Sequence, residues 1–307
     1  MKPTVLLMAS IYGPMQSLLE QNYVVVPYQA GMNLDELAKI CEIVVTTGGR
    51  GIEAALMKQL PKLKMVACFG VGVDAIDLNY CKANNILVSN TPDVLTEEVA
   101  DLALALLLST IRRIPQGDQF VRQGKWLKGG MPLTQSMQGM KIGVVGMGRI
   151  GQAIAKRCVA FNTTVAYQGP RKKSDLSYQY FDTVEALATW ADVVIAACPG
   201  GAATAKIISK AALKALGPQG IFVNIARGSV VDQEALVELL ASAELGAAGL
   251  DVFNDEPKVP VDLWTMDNVV LMPHVGSGTH ATRAAMGQLT LDNVAAFVAG
   301  RPLLTAV

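Results

Sequence analysis

Histidine is scarce in this chain: there are two in 307 residues, His274 and His280, so proton transfer near neutral pH has few candidates. Cysteine is sparse as well. Its five copies, Cys41, Cys68, Cys81, Cys158 and Cys198, are odd in number and scattered, with no C-x-x-C pair. That pattern argues against a disulfide framework and against a zinc site, and it fits a reducing, cytoplasmic setting. Net charge is missing too, because 26 Lys and Arg offset 26 Asp and Glu. No overall field recruits nucleic acid or an anionic membrane, and neither partner is expected. Long apolar runs are also lacking. The run VADLALALLLSTI contains Asp101 and falls short of the roughly 20 residues that span a bilayer, so it reads as a core helix. Near the start, VLLMAS is too short for a secretory leader and reads as a first β-strand; no targeting segment is expected.

Hydrophobic residues make up 51% of the chain and charged ones 17%, enough for two domains with substantial cores. Short apolar runs alternate with longer stretches of helical period in two series, the pattern of parallel strands joined by crossover helices. The first series is TVLLMA, YVVVPY, EIVVTT, KMVACF and ILVSN; the second is KIGVVGM, TTVAYQ, DVVIAAC, GIFVNIA, AAGLDVF and NVVLMP. The expected fold is α/β, with two doubly wound parallel-sheet, Rossmann-like domains and the ligand cleft between them. A helix from Val99 to about Ile114 is expected to cross from one to the other, and a last helix over THATRAAMGQLTLDNVAAFVAG to return. Residues 1–98 plus 276–307 then form the substrate-binding, flavodoxin-like domain, and 99–275 the dinucleotide-binding one.

The stretch KIGVVGMGRIGQAIAKR places Gly146, Gly148 and Gly151 as G-x-G-x-x-G between a strand and a helix. Gly146 allows the tight turn, Gly148 the approach of a pyrophosphate, and Gly151 close packing of helix on strand. The helix start at Arg149 and Ile150 offers N–H groups and a positive dipole end to the phosphates. At the end of the next strand, 18 residues beyond Gly151, an NAD-binding protein offers a carboxylate to the ribose; this chain has Gly169, followed by Arg171, Lys172 and Lys173. Gly169 leaves room for a 2′-phosphate and the basic residues neutralise it, so NADPH is expected in preference to NADH.

Three polar residues follow strand-like runs: Arg227 after GIFVNIA, Glu256 after AAGLDVF and His274 after NVVLMP. Together they match what reduction of a 2-oxo acid requires beyond a hydride donor. His274 supplies the proton, Glu256 favours its charged form, and the planar fork of Arg227 holds the substrate's carboxylate and carbonyl oxygens. No metal is called for. His280 reads as a cap or surface residue. In CFGVGVDAIDL, Gly70 and Gly72 bracket Val71 at a strand end, where backbone N–H groups form either a small anion nest or an ordinary tight turn.

The motifs GVGVDAID, VSNTPDVLTEEVADLALALLL, MKIGVVGMGRIG, VNIARGSVVD, GLDVFNDEP and PHVGSGT occur in an order that resembles the D-isomer-specific 2-hydroxyacid dehydrogenases, and they run over nearly the whole chain. The resemblance implies that Arg227, Glu256 and His274 are the catalytic three. It implies that Val71 and Gly72 bind the substrate carboxylate through their backbone, together with Arg227 and His274. It further places Thr96 near the cofactor and Asp251 near the nicotinamide amide, has Pro199, Thr204 and Ala226 lining the dinucleotide, and brings Gly276 into the cofactor set. A homodimer formed through the Gly-rich domain is implied by the same analogy. The missing acid at Gly169 and the stretch CPGGAATAKII resemble the NADPH-dependent glyoxylate and hydroxypyruvate reductases within the family. The sequence ends at RPLLTAV, so the regulatory domain that some phosphoglycerate dehydrogenases carry is not expected.

The expected reaction is hydride transfer from NADPH to C2 of a small 2-oxo acid, giving the D-2-hydroxy acid, with hinges near Glu98 and Gly276 closing the domains around the substrate. Two other enzyme substrates stay open, a 2-keto sugar acid such as 2-ketogluconate and an arylpyruvate. Formate dehydrogenase resembles this fold but pairs its histidine with glutamine, and Glu256 speaks against it. A non-catalytic, dinucleotide-sensing interaction protein is the alternative from another class.

Overall fold

The computed structural model describes residues 2–307, in two compact units. The first holds the residues up to Leu95 together with Ser277–Val307; the second is Thr96–Gly276.

In the first unit, five parallel strands run β1 (Thr4–Leu7), β2 (Val24–Pro27), β3 (Ile43–Thr47), β4 (Met65–Phe69) and β5 (Leu87–Ser89), in the spatial order β2-β1-β3-β4-β5. The inner strands are apolar at successive positions because both faces are covered, and every residue of β4 is buried. At the edge, β2 has the same valine-rich composition yet none of its residues is fully buried. The last helix, His280–Val298, packs against β4 and against the helix Gly13–Asn22. Beyond it, Thr305 donates its hydroxyl to the Asn90 carbonyl at 2.6 Å and accepts from Asn293 Nδ2 at 2.9 Å, which ties the tail to the end of β5.

The second unit has seven parallel strands: β6 (Lys141–Val145), β7 (Thr164–Gln168), β8 (Gln179–Phe181), β9 (Val193–Ala196), β10 (Ile221–Asn224), β11 (Ala247–Leu250) and β12 (Val269–Leu271). Their order is β12-β11-β10-β9-β6-β7-β8. The chain starts at β6, builds outward through β7 and β8, then returns to the other side of β6 with β9. The strand order therefore reverses between β6 and β9, and the crevice at the carboxyl ends of a doubly wound sheet opens at such a reversal.

The helix Thr96–Arg112 carries Glu97 and Glu98 in its first turn and Arg112 in its last, charges that match the helix dipole. Its buried stripe, from Val99 through Leu107 to Ile111, lies against β10, β11 and β12. Arg157, on the helix Arg149–Ala160, bridges Asp101 at 2.6 Å and Glu97 at 2.7 Å, joining the two helices.

Two elements depart from the sequence reading. The helix expected to run to about Ile114 ends at Arg112, because Arg113 turns into the left-handed region (φ 52°); Pro115 then opens a second helix, Ile114–Arg122. The strand β8 has no apolar run to announce it. It is a three-residue edge strand in which Tyr180 packs on Tyr167, with ring centroids 5.3 Å apart.

Candidate active site

Every candidate residue of the second unit other than Thr96 lies at or beyond the carboxyl end of a strand of its sheet. After β6 the chain turns at Gly146 (φ +96°), where a Cβ would sit 2.5 Å from the backbone of Cys198; at Gly151 one would meet the Gly146 carbonyl oxygen at 2.1 Å. These two glycines are required by packing. Gly148 differs, since a Cβ there would meet nothing within 4 Å. Gly148 is the N-cap of the helix Arg149–Ala160 and makes no side-chain cap hydrogen bond, so no cap side chain stands before the first turn at Arg149 and Ile150. Open backbone in front of an uncapped helix start is what a pyrophosphate fits.

After β7, a Cβ on Gly169 would likewise meet nothing within 4 Å, and the Gly169 carbonyl oxygen accepts from the Tyr180 hydroxyl at 3.1 Å. The loop continues over the exposed Arg171 and Lys172 and is pinned where the Lys173 N–H donates to the Tyr167 hydroxyl at 2.7 Å. Beyond β9, the Thr204 hydroxyl donates to the Pro199 carbonyl at 2.6 Å and folds that loop on itself.

Beyond β10, the buried Asn224 braces the next turn. Its side-chain oxygen accepts the Ala226 N–H and its Nδ2 donates to the Arg227 carbonyl, both at 3.0 Å. The half-buried Arg227 side chain donates to the Ala226 carbonyl at 2.7 Å. Beyond β11, Glu256 accepts the Phe253 N–H at 2.9 Å on Oε1 and meets His274 Nδ1 at 2.6 Å on Oε2. Burial pushes the Glu256 carboxyl upward, but the hydrogen bond from His274, the Phe253 N–H and the nearby charges of His274 and Arg227 outweigh it and leave the group below its ordinary range.

Asp251, the residue just after β11, is 1% exposed. Its two carboxylate oxygens accept the N–H groups of Val275 (2.8 Å) and Gly276 (2.9 Å), and its carbonyl accepts that of His274 (2.8 Å). Burial raises the Asp251 carboxyl above its usual value, and the two N–H donors together with the His274 charge pull only part of the way back. Thr96 opens the helix Thr96–Arg112, half-buried.

In the first unit, the Val71 carbonyl accepts from Asn90 Nδ2 at 2.9 Å and the Gly70 N–H donates to the Thr91 hydroxyl at 3.1 Å. The N–H groups of Val71 and Gly72 have no acceptor among the described residues. His280 is the first residue of its helix; the cap is Thr279, which accepts the Thr282 N–H at 3.1 Å, while His280 is exposed with Nδ1 3.2 Å from the Tyr12 hydroxyl.

Residues 104–276 match the model of the D-isomer specific 2-hydroxyacid dehydrogenase NAD-binding domain, which is more than half of the chain. The chain belongs to this family. It is 46% identical over 264 residues to a glyoxylate/hydroxypyruvate reductase A of Arabidopsis thaliana, covering 86% of this chain and 84% of that one. It is 45% identical over 270 residues to a hydroxyphenylpyruvate reductase of Plectranthus scutellarioides, covering 88% and 86%. Among solved structures, an NADPH-dependent glyoxylate/hydroxypyruvate reductase from Sinorhizobium meliloti, in complex with NADP and malonate, superposes with a TM-score of 0.95 at 39% identity, covering 100% of this chain and 97% of that one. As a 2-hydroxyacid dehydrogenase the chain is an NAD(P)-dependent oxidoreductase.

In this dehydrogenase two contributions escape a reading of the sequence. Asn224 reads as one more residue of an apolar strand, and only its buried position, polar among valine and isoleucine, could have singled it out. The grip of Asp251 on residues 274–276 joins segments more than 20 residues apart and leaves no periodic trace.

Proposed function

We propose that this dehydrogenase reduces a small 2-oxo acid of the glyoxylate or hydroxypyruvate type to the D-2-hydroxy acid and draws on NADPH in preference to NADH. The observation that carries this reading is the 2.6 Å contact of His274 with Glu256, on a sheet whose strand ends also present Arg227 and the Gly146–Gly151 loop. A reduced nicotinamide dinucleotide, when bound, supplies the hydride for C2 of the substrate. Gly146, Gly148, Gly151 and the amides of Arg149 and Ile150 would hold its pyrophosphate, with Pro199, Thr204, Ala226 and Gly276 beside it and Thr96 nearby.

Glu256 accepts from Nδ1 and so fixes the ring of His274 with Nε2 as the proton donor to the carbonyl oxygen. The Glu256 carboxylate, 2.6 Å from Nδ1, holds the ring in place for that transfer. Arg227 receives the carboxylate and carbonyl oxygens through its planar fork, and the amides of Val71 and Gly72 take the carboxylate. The reverse direction uses the same ring as a base. Turnover of glyoxylate with NADPH tests the reading: a wild-type protein that binds NADPH but reduces no 2-oxo acid would instead be the dinucleotide-sensing alternative. The relative named for hydroxyphenylpyruvate keeps an arylpyruvate in the substrate panel.

The preference for NADPH rests on Gly169, with its open space, and on the exposed Arg171 and Lys172 beside it. A homodimer through the second unit is part of the same proposal. The helix Ile114–Arg122 buries none of its residues, and Ile114, Val121, Trp126, Leu127 and Leu133 are all exposed. Nearby, a cavity of about 440 Å³ is lined by Arg113, Gln116, Leu133 and Asn268, and Gln116 Oε1 is buried there without a hydrogen-bond partner among the described residues. A second copy would cover these surfaces, and sedimentation would report the mass. Five buried cysteines, none of them in a disulfide, support a cytoplasmic location; among the described residues no helix is long and apolar enough to cross a membrane.

A further inference from the structure

The guanidinium of Arg50 has no part in the proposed hydride and proton transfer and, among the described residues, no acidic partner. It lies over the ring of Tyr28, 5.4 Å from its centroid, and has no hydrogen bond or ion pair among the described residues. Tyr28 follows β2 and Arg50 follows β3, so both stand at the carboxyl edge of the first unit's sheet, as Val71 and Gly72 do after β4.

The loop that presents Arg50 is tightly held. The Thr46 hydroxyl donates to the Gly51 carbonyl at 2.7 Å, the Gly51 N–H to the Thr47 carbonyl at 2.9 Å, and the Arg50 N–H to the Thr47 hydroxyl at 3.2 Å. Gly51 has φ +55°, and a Cβ there would fall 1.8 Å from the Ala75 carbonyl oxygen; a Cβ on Gly70 would be 3.3 Å from the Gly48 nitrogen. The Arg50 loop therefore lies directly against the 70–75 loop that carries the unpaired amides of Val71 and Gly72. A cation on a fixed loop, braced by an aromatic face and lacking a counter-charge, is arranged for an acceptor that the protein does not provide.

We infer that Arg50 is a specificity-determining residue that recognises oxygen atoms on the substituent beyond C2 of the substrate. This rests on the proposed role of Val71 and Gly72 as the carboxylate site. With the carboxylate on those amides, the substituent at C2 is the part left to meet the neighbouring loop. The substrate class is then a 2-oxo acid with a hydroxylated tail, in preference to one with an aryl or alkyl tail. The N–H groups of a guanidinium suit hydroxyl oxygens, and Tyr28 holds the group over its ring.

The test compares hydroxypyruvate, whose C3 carries a hydroxyl, with glyoxylate, which has no C3. In Arg50→Met the ratio of kcat/KM for hydroxypyruvate over glyoxylate should fall about tenfold or more, the value of one lost hydrogen bond to a charged group. Arg50→Lys should recover part of the ratio, and Tyr28→Leu should lower it by a smaller factor. Equal losses on both substrates, or an unchanged ratio, would overturn the assignment while leaving the reductase reading intact. A wild-type protein that reduces neither substrate would overturn both.

Discussion

The carbonyl oxygen of Asp251 accepts the backbone N–H of His274 at 2.8 Å, while the Asp251 carboxylate takes the next two N–H groups. His274 sits at φ +53°, a conformation few non-glycine residues adopt, and this clasp is what holds it there. The position of the imidazole is thus set from the end of β11, one strand away from its own.

Asp251→Asn should therefore impair catalysis without touching the ring. An amide in place of the carboxylate puts an NH2 group against one of two N–H donors, a loss of about 1–3 kcal/mol. A fall in kcat/KM of about 10- to 100-fold is expected, with a lower Tm. Kinetics alongside thermal unfolding checks both; wild-type values for each would show that the clasp is dispensable.

Asn224→Ala should act on Arg227 in the same indirect way. It leaves the Ala226 N–H without its acceptor and removes the donor to the Arg227 carbonyl. The main effect should be a rise in KM for the 2-oxo acid, with the Kd of NADPH changing less. Isothermal titration and steady-state kinetics would separate the two.

The Glu256 carboxyl is depressed in the folded chain, so it adds stability above the ordinary carboxyl pKa and loses that contribution as the pH falls through the lowered value. The Tm advantage of the wild type over Glu256→Gln should be full near neutrality and shrink once the medium falls below about pH 4. In kinetics, the same substitution removes the carboxylate that holds His274 Nδ1 at 2.6 Å, so kcat/KM for reduction should fall. Reduction independent of pH between about pH 6 and about pH 9 would contradict the acid role.

Gly169→Asp should reverse the cofactor preference. A carboxylate placed in the open space at Gly169 would repel a 2′-phosphate and accept from the ribose hydroxyls, as in NAD-binding relatives of this fold. The NADPH to NADH ratio of kcat/KM should fall by at least about tenfold. An unchanged ratio would remove the assignment.

The parts that could be read from the sequence share one property, which is that their signal is local. The glycines at 146, 148 and 151 sit in a fixed spacing at a strand-to-helix junction, and Arg227, Glu256 and His274 stand out as charged residues after apolar runs in a parallel sheet. The parts that could not be read depend on backbone groups from distant segments. Asp251 meets residues 274–276 only once β11 and β12 are paired, and β8 is only three residues long, a strand defined by its pairing with β7 and by Tyr180 packing on Tyr167. The end of the helix Thr96–Arg112 likewise turns on a single left-handed residue, Arg113, in an otherwise helical run.

The most direct measurement is single-turnover reduction of glyoxylate by the His274→Gln protein saturated with NADPH, followed by the loss of the dihydronicotinamide absorbance. If His274 is the proton donor, NADPH should still bind while the reduction rate drops by about 100-fold or more. A rate within about tenfold of the wild type would place the proton donor elsewhere.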